Sequence, residues 1–198
     1  APIYFAQDEY IVSNINYTAA LLSCDVKNIE HDITETFNCD LNGLYQTKNR
    51  KTVLCAEGLL TDKDFIIKNK DEKYALGHVK DLTGFSGRWD VIAEHPTIIT
   101  DVAHNEDGIK QLLEQLSIVK CATSRLHMVI GMVKDKDVSK VLSILPKDTA
   151  YYFSNAHIDR AMPHQDLKEK AKDFGLNGES YDDVNDAINA ARKNAAAK

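Results

Sequence analysis

The sequence has no apolar run near the roughly 18 residues that a membrane-spanning helix requires. Its first residues, APIYFAQDEY, carry neither a basic leader segment nor a small-residue cleavage site. Positive charge is also scarce: 24 Lys and Arg stand against 30 Asp and Glu, a formal net charge of -6. Nucleic acids and anionic membrane surfaces call for clustered cations, so neither is an expected partner. A small anionic ligand needs only one or two placed cations and stays open. The cysteines Cys24, Cys39, Cys55 and Cys121 form no CxxC pair, which supports neither a zinc knuckle nor a redox dithiol. They read as reduced, mostly buried thiols of a cytoplasmic protein. The signature loops GxxxxGK[ST] and GxGxxG are absent, as are HExxH and GxSxG. Alone, the chain is therefore not expected to grip a triphosphate or to catalyse hydrolysis.

What is present is 198 residues with 43% hydrophobic content, enough for one large domain or two small ones with real cores. From Thr97 onward strands and helices alternate. PTIIT is followed by a helix from about Glu106 to Leu116, LHMVIGMV by a helix over VSKVLSIL, and TAYYFSNA by a helix over HQDLKEKAKDFG that Gly175 should close. NGESY and a last helix, DDVNDAINAARKN, complete the series. Strands without polar alternation, separated by helices, predict an α/β fold: a Rossmann-like parallel sheet with helices on both faces, over roughly residues 88 to 198.

The first 80 or so residues read as a smaller α/β portion. Strand-like APIYFA, YTAALLSC and HDITETFNC precede a helix, YQTKNRKTVLCAEGLL, and a second helix covers YALGHVKDL. The polar, glycine-bearing segment DLTGFSG separates the halves, which gives domains at 1–84 and 85–198. APIYF reads as a strand entered partway, and the alanine-rich tail stands where another strand would return to the sheet. The chain is thus expected to be a fragment.

Four residues are candidates for chemistry. Asp101 stands at the carboxyl end of PTIIT, where ligands of open parallel sheets bind, and His104 follows it. Asn105 can cap the next helix, with Glu106 and Asp107 complementing its dipole. Against a functional role, Asp101 can simply cap a turn and His104 can be a surface loop residue. Arg88, in GFSGRWDVI, can reach a phosphate bidentately or form an interdomain salt bridge. Asn49 can read the edge of an adenine or merely be solvated. VKDKD (133 to 137) and HIDRAMPH (157 to 164) lie on the same rim, the first as a solvated turn; His157 and His164 are too loosely placed to be metal ligands.

Three pieces in this order, YQTKN, SGRW and TDVAHN, resemble the folylpolyglutamate synthase/dihydrofolate synthase family of the Mur ligase superfamily. The resemblance implies the end of a central ATPase domain followed by a Mur ligase carboxyl-terminal domain that stops before its last strand. It implies that ATP phosphorylates a carboxylate of dihydropteroate or a folate to an acyl phosphate, which the amino group of L-glutamate attacks. At matching positions it implies Asn49 on the adenine, Arg88 on the ATP phosphates, Asp101 on the nucleotide, and His104 near the reacting phosphate or the incoming glutamate. The cofactors implied are ATP and Mg2+, with the phosphate loop and the metal ligands upstream, in a parent enzyme that acts as a monomer. A peptidoglycan Mur ligase and a non-catalytic nucleotide-binding module are the alternatives. By itself the chain is expected not to catalyse ligation; ATP-dependent addition of glutamate to dihydropteroate or tetrahydrofolate by the purified chain would overturn that expectation.

Overall fold

A computed structural model of the chain describes residues 2–18, 21–61, 63, 65–119, 125–134 and 137–196. Cys121 and part of VKDKD fall outside them. By packing, the chain divides into two units, residues 1–92 with 98–102 and residues 93–97 with 103–198.

Unit 1 begins with a four-residue helix, α1 (Ala6–Glu9), and an antiparallel meander of β1 (Tyr10–Tyr17), β2 (Leu22–Asn28) and β3 (Ile33–Cys39). The alternation in β2 sets which face is covered: Leu22, Cys24 and Val26 are buried, and Ser23, Asp25 and Lys27 between them are not. Cys24 lies opposite Phe37 in the register, and both pack with Leu54 of α2 (Gln46–Thr61). The segment continues with α3 (Asn69–Gly77) and α4 (Val79–Thr83).

Three sequence expectations are corrected in this unit. APIYF is not a strand: residues 2–5 are irregular and α1 follows. YTAALLSC is not one strand either, because β1 ends at Tyr17 and β2 starts at Leu22, and Thr18 N–H and Oγ1 both donate to the Leu21 carbonyl. β1 itself was missed: its exposed residues, in which apolar and polar types do not alternate, and the left-handed Asn14 (φ 49) beside a bulge between Ser13 and Asn16 hide the strand period. The helix expected over YALGHVKDL is two helices, since His78 leaves helical geometry at φ -133, ψ 33.

After α4, β4 (Asp90–Glu94) and β5 (Thr97–Thr100) form a two-stranded sheet joined by a two-residue turn. β5, the PTIIT strand, thus pairs with β4 and not with the parallel sheet, because so short a connection favours a hairpin partner.

Unit 2 follows the predicted alternation: α5 (Glu106–Ile118), β6 (His127–Ile130), α6 (Val138–Ile144), β7 (Ala150–Ser154), α7 (His164–Lys172), β8 (Gly178–Tyr181) and α8 (Val184–Ala196). The sheet order is β6-β7-β8, all parallel. Central β7 is buried on both faces. Tyr151 and Phe153 pack with Val141, Leu142, Leu167 and Ala171 of α6 and α7, and Tyr152 packs with Ala187 and Ala191 of α8. Sequential parallel strands place both crossover helices on one face, which leaves the other to α8. Gly175 ends the α7 segment at φ 75, where Gly175 N–H donates to the Lys172 carbonyl and Leu176 N–H to that of Ala171. Cys24, Cys39 and Cys55 are free and buried, and among the described residues no helix is long and apolar enough to cross a membrane.

One ionisable pair makes unit 1 sensitive to pH. Burial pushes the Glu72 carboxyl on α3 up to about 8, helped by a hydrogen bond to Glu57 on α2 and by the charges of Glu57 and Glu35. The folded chain therefore holds a proton that the unfolded chain releases above about 4.5. This contribution is complete below about pH 4.5 and is lost as pH rises through about 8. Glu72→Gln keeps a donor toward Glu57 at every pH. Its melting temperature is expected to match the wild type near pH 4.5, to exceed it increasingly as pH rises, and to hold a constant advantage above about pH 8, a course that thermal unfolding across pH will check.

Candidate functional site

The amino end of α2 is built on Tyr45. Gln46 N–H donates to the Gly43 carbonyl (2.8 Å), and the N–H groups of Lys48 and Asn49 donate to the Tyr45 carbonyl at 3.1 and 3.4 Å. Asn49 is exposed on this first turn. Its Nδ2 donates to Oε1 of the buried Gln46 at 2.8 Å, which fixes the plane of the amide.

Arg88 sits in a tight turn, Gly87–Arg88–Trp89–Asp90. Gly87 (φ 84) and Trp89 (φ 55) both have left-handed backbone, a conformation that costs a residue such as Trp on the order of 1–3 kcal/mol. A Cβ on Gly87 would also lie 2.7 Å from Val102 Cγ1, so no side chain is tolerated there. The turn is held by anchors at each step. Asp90 accepts from Gly87 N–H and pairs with Lys80 at 2.6 Å; burial raises its carboxyl, but these donors and Arg88 N–H together bring it below the usual carboxylate range. Trp89 is fully buried, and its indole N–H donates to Tyr17 Oη.

Asp101 closes the arrangement. Its Oδ2 accepts from Tyr45 Oη at 2.8 Å and from Trp89 N–H at 2.9 Å, while the next residue, Val102, donates its N–H to the Gly87 carbonyl at 2.9 Å. Burial and the Asp101 carboxylate push the Tyr45 phenol well above its ordinary value, with Arg88 opposing. The phenol therefore stays a donor at physiological pH.

The predicted residues are thus partly united. Asp101 and the Arg88 turn are in direct contact, and Asn49 is one helical turn from Tyr45, which contacts Asp101. His104 is exposed and belongs to unit 2. Asn105 accepts from Gly108 N–H at 2.8 Å as the amino-terminal cap of α5, the role expected of it. Sequence reasoning missed Tyr45 and Trp89 as partners of Asp101, although both stand inside the motifs that drew notice to Asn49 and Arg88.

In unit 2, His157 and His164 line an open cavity of about 470 Å3 with Lys134, Asn155 and Asp182. His164 N–H donates to Asn155 Oδ1 at 3.1 Å, His157 Nε2 lies 3.3 Å from the Asp182 carbonyl oxygen, and His164 Nε2 is 3.9 Å from Asp182 Oδ1. Among the described residues no three His, Cys, Asp or Glu side chains are grouped to hold a metal ion.

Residues 87–198 match the family model described as Mur ligase, glutamate ligase domain. The dihydrofolate synthase/folylpolyglutamate synthase of Bacillus subtilis is 30% identical over 145 residues, 72% of this chain and 33% of that protein. Its Escherichia coli counterpart is 31% identical over 57% of this chain and 26% of its own length. The chain thus spans about a third or less of these curated relatives. Among solved structures, Escherichia coli FolC in complex with DHPP and ADP superposes with a TM-score of 0.70 at 24% identity, over 94% of this chain and 40% of that one. Mycobacterium tuberculosis folylpolyglutamate synthase complexed with ADP gives 0.73 at 20% identity, over 93% and 40%.

The geometry of Asp101 makes a stability prediction. Asp101→Ala leaves the Tyr45 hydroxyl and the Trp89 N–H without their acceptor and is expected to cost about 2 kcal/mol or more. Asp101→Asn retains an acceptor oxygen and is expected to cost less than about 1 kcal/mol. Urea unfolding of the two variants measures the difference.

Proposed function

The chain belongs to the Mur ligase family through its glutamate ligase domain, and from that premise we propose that it is part of an ATP-dependent ligase adding L-glutamate to dihydropteroate, to folate polyglutamate tails, or to both. Residues 1–84 form the end of the central ATP-binding domain in this reading, and residues 85–198 the carboxyl-terminal domain. The observation that carries it is the hydrogen-bonded union of the Arg88 turn with Asp101, two residues that the sequence resemblance independently assigns to the nucleotide.

The reaction proceeds in two steps. The substrate carboxylate takes the γ-phosphoryl group of ATP, releasing ADP, and the glutamate amine then attacks the acyl carbon and expels phosphate. Phosphoryl transfer is governed mostly by positioning and by charge aimed at the transferring group. Arg88 is suited to that task because its backbone is fixed on both sides, by Asp90 and by Asp101. Asn49 meets the adenine with an amide already oriented by Gln46. Asp101 engages the nucleotide beside them, and His104 serves the reacting phosphate or the incoming glutamate. Mg2+ would supply charge neutralisation on the phosphates when bound, its ligands in this reading lying upstream in the parent enzyme, as the family resemblance implies. The partners are small molecules, in keeping with a net charge of -6, and the parent acts as a cytoplasmic monomer.

In the full-length enzyme, Arg88→Ala is expected to weaken both ATP affinity and turnover. His104→Ala is expected to lower turnover about a hundredfold, the scale for loss of one transition-state donor, with a smaller change in ATP affinity. Steady-state kinetics together with ATP titration test this; unchanged turnover in both variants would remove these residues from the mechanism.

A further inference from the structure

Tyr45 touches both halves of the candidate nucleotide site. Its hydroxyl donates to Asp101 Oδ2 at 2.8 Å, across 56 residues of sequence. Its carbonyl accepts the N–H of Asn49 at 3.4 Å and that of Lys48 at 3.1 Å, in the first turn of α2. The ring is half-buried, and the Asp101 oxygen it reaches also holds the N–H of Trp89, whose left-handed backbone sets the direction of the adjoining Arg88. One rigid side chain therefore spans from the helix turn that carries Asn49 to the carboxylate that fixes the Arg88 turn.

We propose that Tyr45 is a positioning residue for the nucleotide, a brace that sets the spacing between Asn49 and the Asp101–Arg88 pair through its hydroxyl on Asp101 and its carbonyl under Asn49. The proposal rests on the reading that Asn49, Arg88 and Asp101 bind ATP. It adds a residue that meets no substrate atom and acts through two that do.

A nucleotide held at separate points gains affinity only if those points already stand at the right separation, because ordering them during binding subtracts from the gain. A helix end and a loop turn have no covalent reason to keep register with each other. A tyrosine offers a long reach with only two rotatable side-chain bonds, so the link costs little conformational freedom. Its donor faces a carboxylate, which makes the bond charge-assisted, and burial together with the Asp101 charge keeps the phenol protonated throughout the working range. The brace therefore does not titrate under assay conditions.

Because the brace pre-sets ground-state contacts that persist in the transition state, its loss should appear as uniform binding. In the full-length enzyme, Tyr45→Phe is expected to raise the ADP dissociation constant and the KM for ATP about tenfold, the scale of one charge-assisted hydrogen bond, with kcat within about twofold of the wild type. In a double-mutant cycle, Tyr45→Phe in the Asp101→Asn background is expected to weaken ADP binding less than it does alone, since the bond it removes is already impaired. Calorimetric titration with ADP, steady-state kinetics and thermal unfolding of the same variants supply the readouts. If Tyr45→Phe lowers the melting temperature or leaves it unchanged while ADP affinity stays at the wild-type value, and Asp101→Asn still weakens ADP binding, the brace is overturned and the nucleotide site stands. If neither variant alters ADP affinity, the nucleotide reading of Asp101 falls and the brace falls with it.

Discussion

Two donors converging on one oxygen of Asp101 tie the amino end of α2 to the Arg88 turn. Tyr45 arrives from the amino end of α2 and Trp89 from a turn with unfavourable backbone. A carboxylate suits this junction because it offers acceptors only, and a half-buried hydroxyl and a buried backbone N–H both require an acceptor. The left-handed Trp89 persists because several anchors over-determine it: the carboxylate on its N–H, Tyr17 on its indole, and Asp90 on the preceding glycine. Strain of this kind commonly collects where a side chain must be aimed in a direction the ordinary backbone does not provide. Here the side chain aimed is that of Arg88.

Unit 2 depends on a different constraint, the burial of one short strand on both faces. Residues 151 to 153 of β7 alternate between two cores, Tyr151 and Phe153 to one and Tyr152 to the other. Large aromatics serve this position because each fills the space between strand and helix while its hydroxyl can reach an edge. Tyr151 Oη donates to the Pro146 carbonyl at 2.6 Å, and Tyr152 Oη accepts from Asn194 of α8 at 2.9 Å. The scaffold is thereby fixed by apolar burial, with the hydroxyls of both tyrosines hydrogen-bonded beyond the strand.

This difference explains how much of the molecule the sequence disclosed. Two-faced burial writes itself as continuous apolar runs such as AYYF, and helices with caps write themselves as Asn105 three residues before Gly108. The elements β6 through α8 were legible for that reason. The meander was less so, because in β1 the apolar and polar residues do not alternate, with Ile11 and Ile15 exposed and Asn14 and Asn16 interrupting the period. β5 was recognised as a strand but assigned to the wrong partner, since a short β-branched run such as TIIT records a strand without recording which neighbour supplies the hydrogen bonds. Within the candidate site, residue types and order singled out Asp101 and Arg88. The Tyr45–Asp101 bond was invisible because a contact across 56 residues leaves no periodic trace, and a positive φ at Trp89 contradicts what its residue type suggests.

The placement of Asn49, Arg88 and Asp101 in unit 1 has an energetic meaning. The largest core cluster of unit 1 is built on Cys24, Val26, Phe37 and Leu54, whereas that of unit 2 joins α5, α6 and α7 to the sheet through twelve buried residues. Unit 1 also encloses the Arg50 guanidinium, 3% exposed and stacked over Phe37 at 5.5 Å, and holds the Glu72 carboxyl, whose proton is retained through burial and the neighbouring Glu57. Buried charge of this kind subtracts from stability unless it is fully partnered. A small apolar core with ionisable groups inside it implies lower local opening free energies than a large one. Asn49, Arg88 and Asp101 thus lie in the part of the chain whose structure rests more on directional polar bonds. Such bonds fix geometry sharply while they are made and release it cleanly when broken, so on the proposed reading a single hydroxyl on Asp101 matters more to nucleotide binding than its small share of the folding energy suggests.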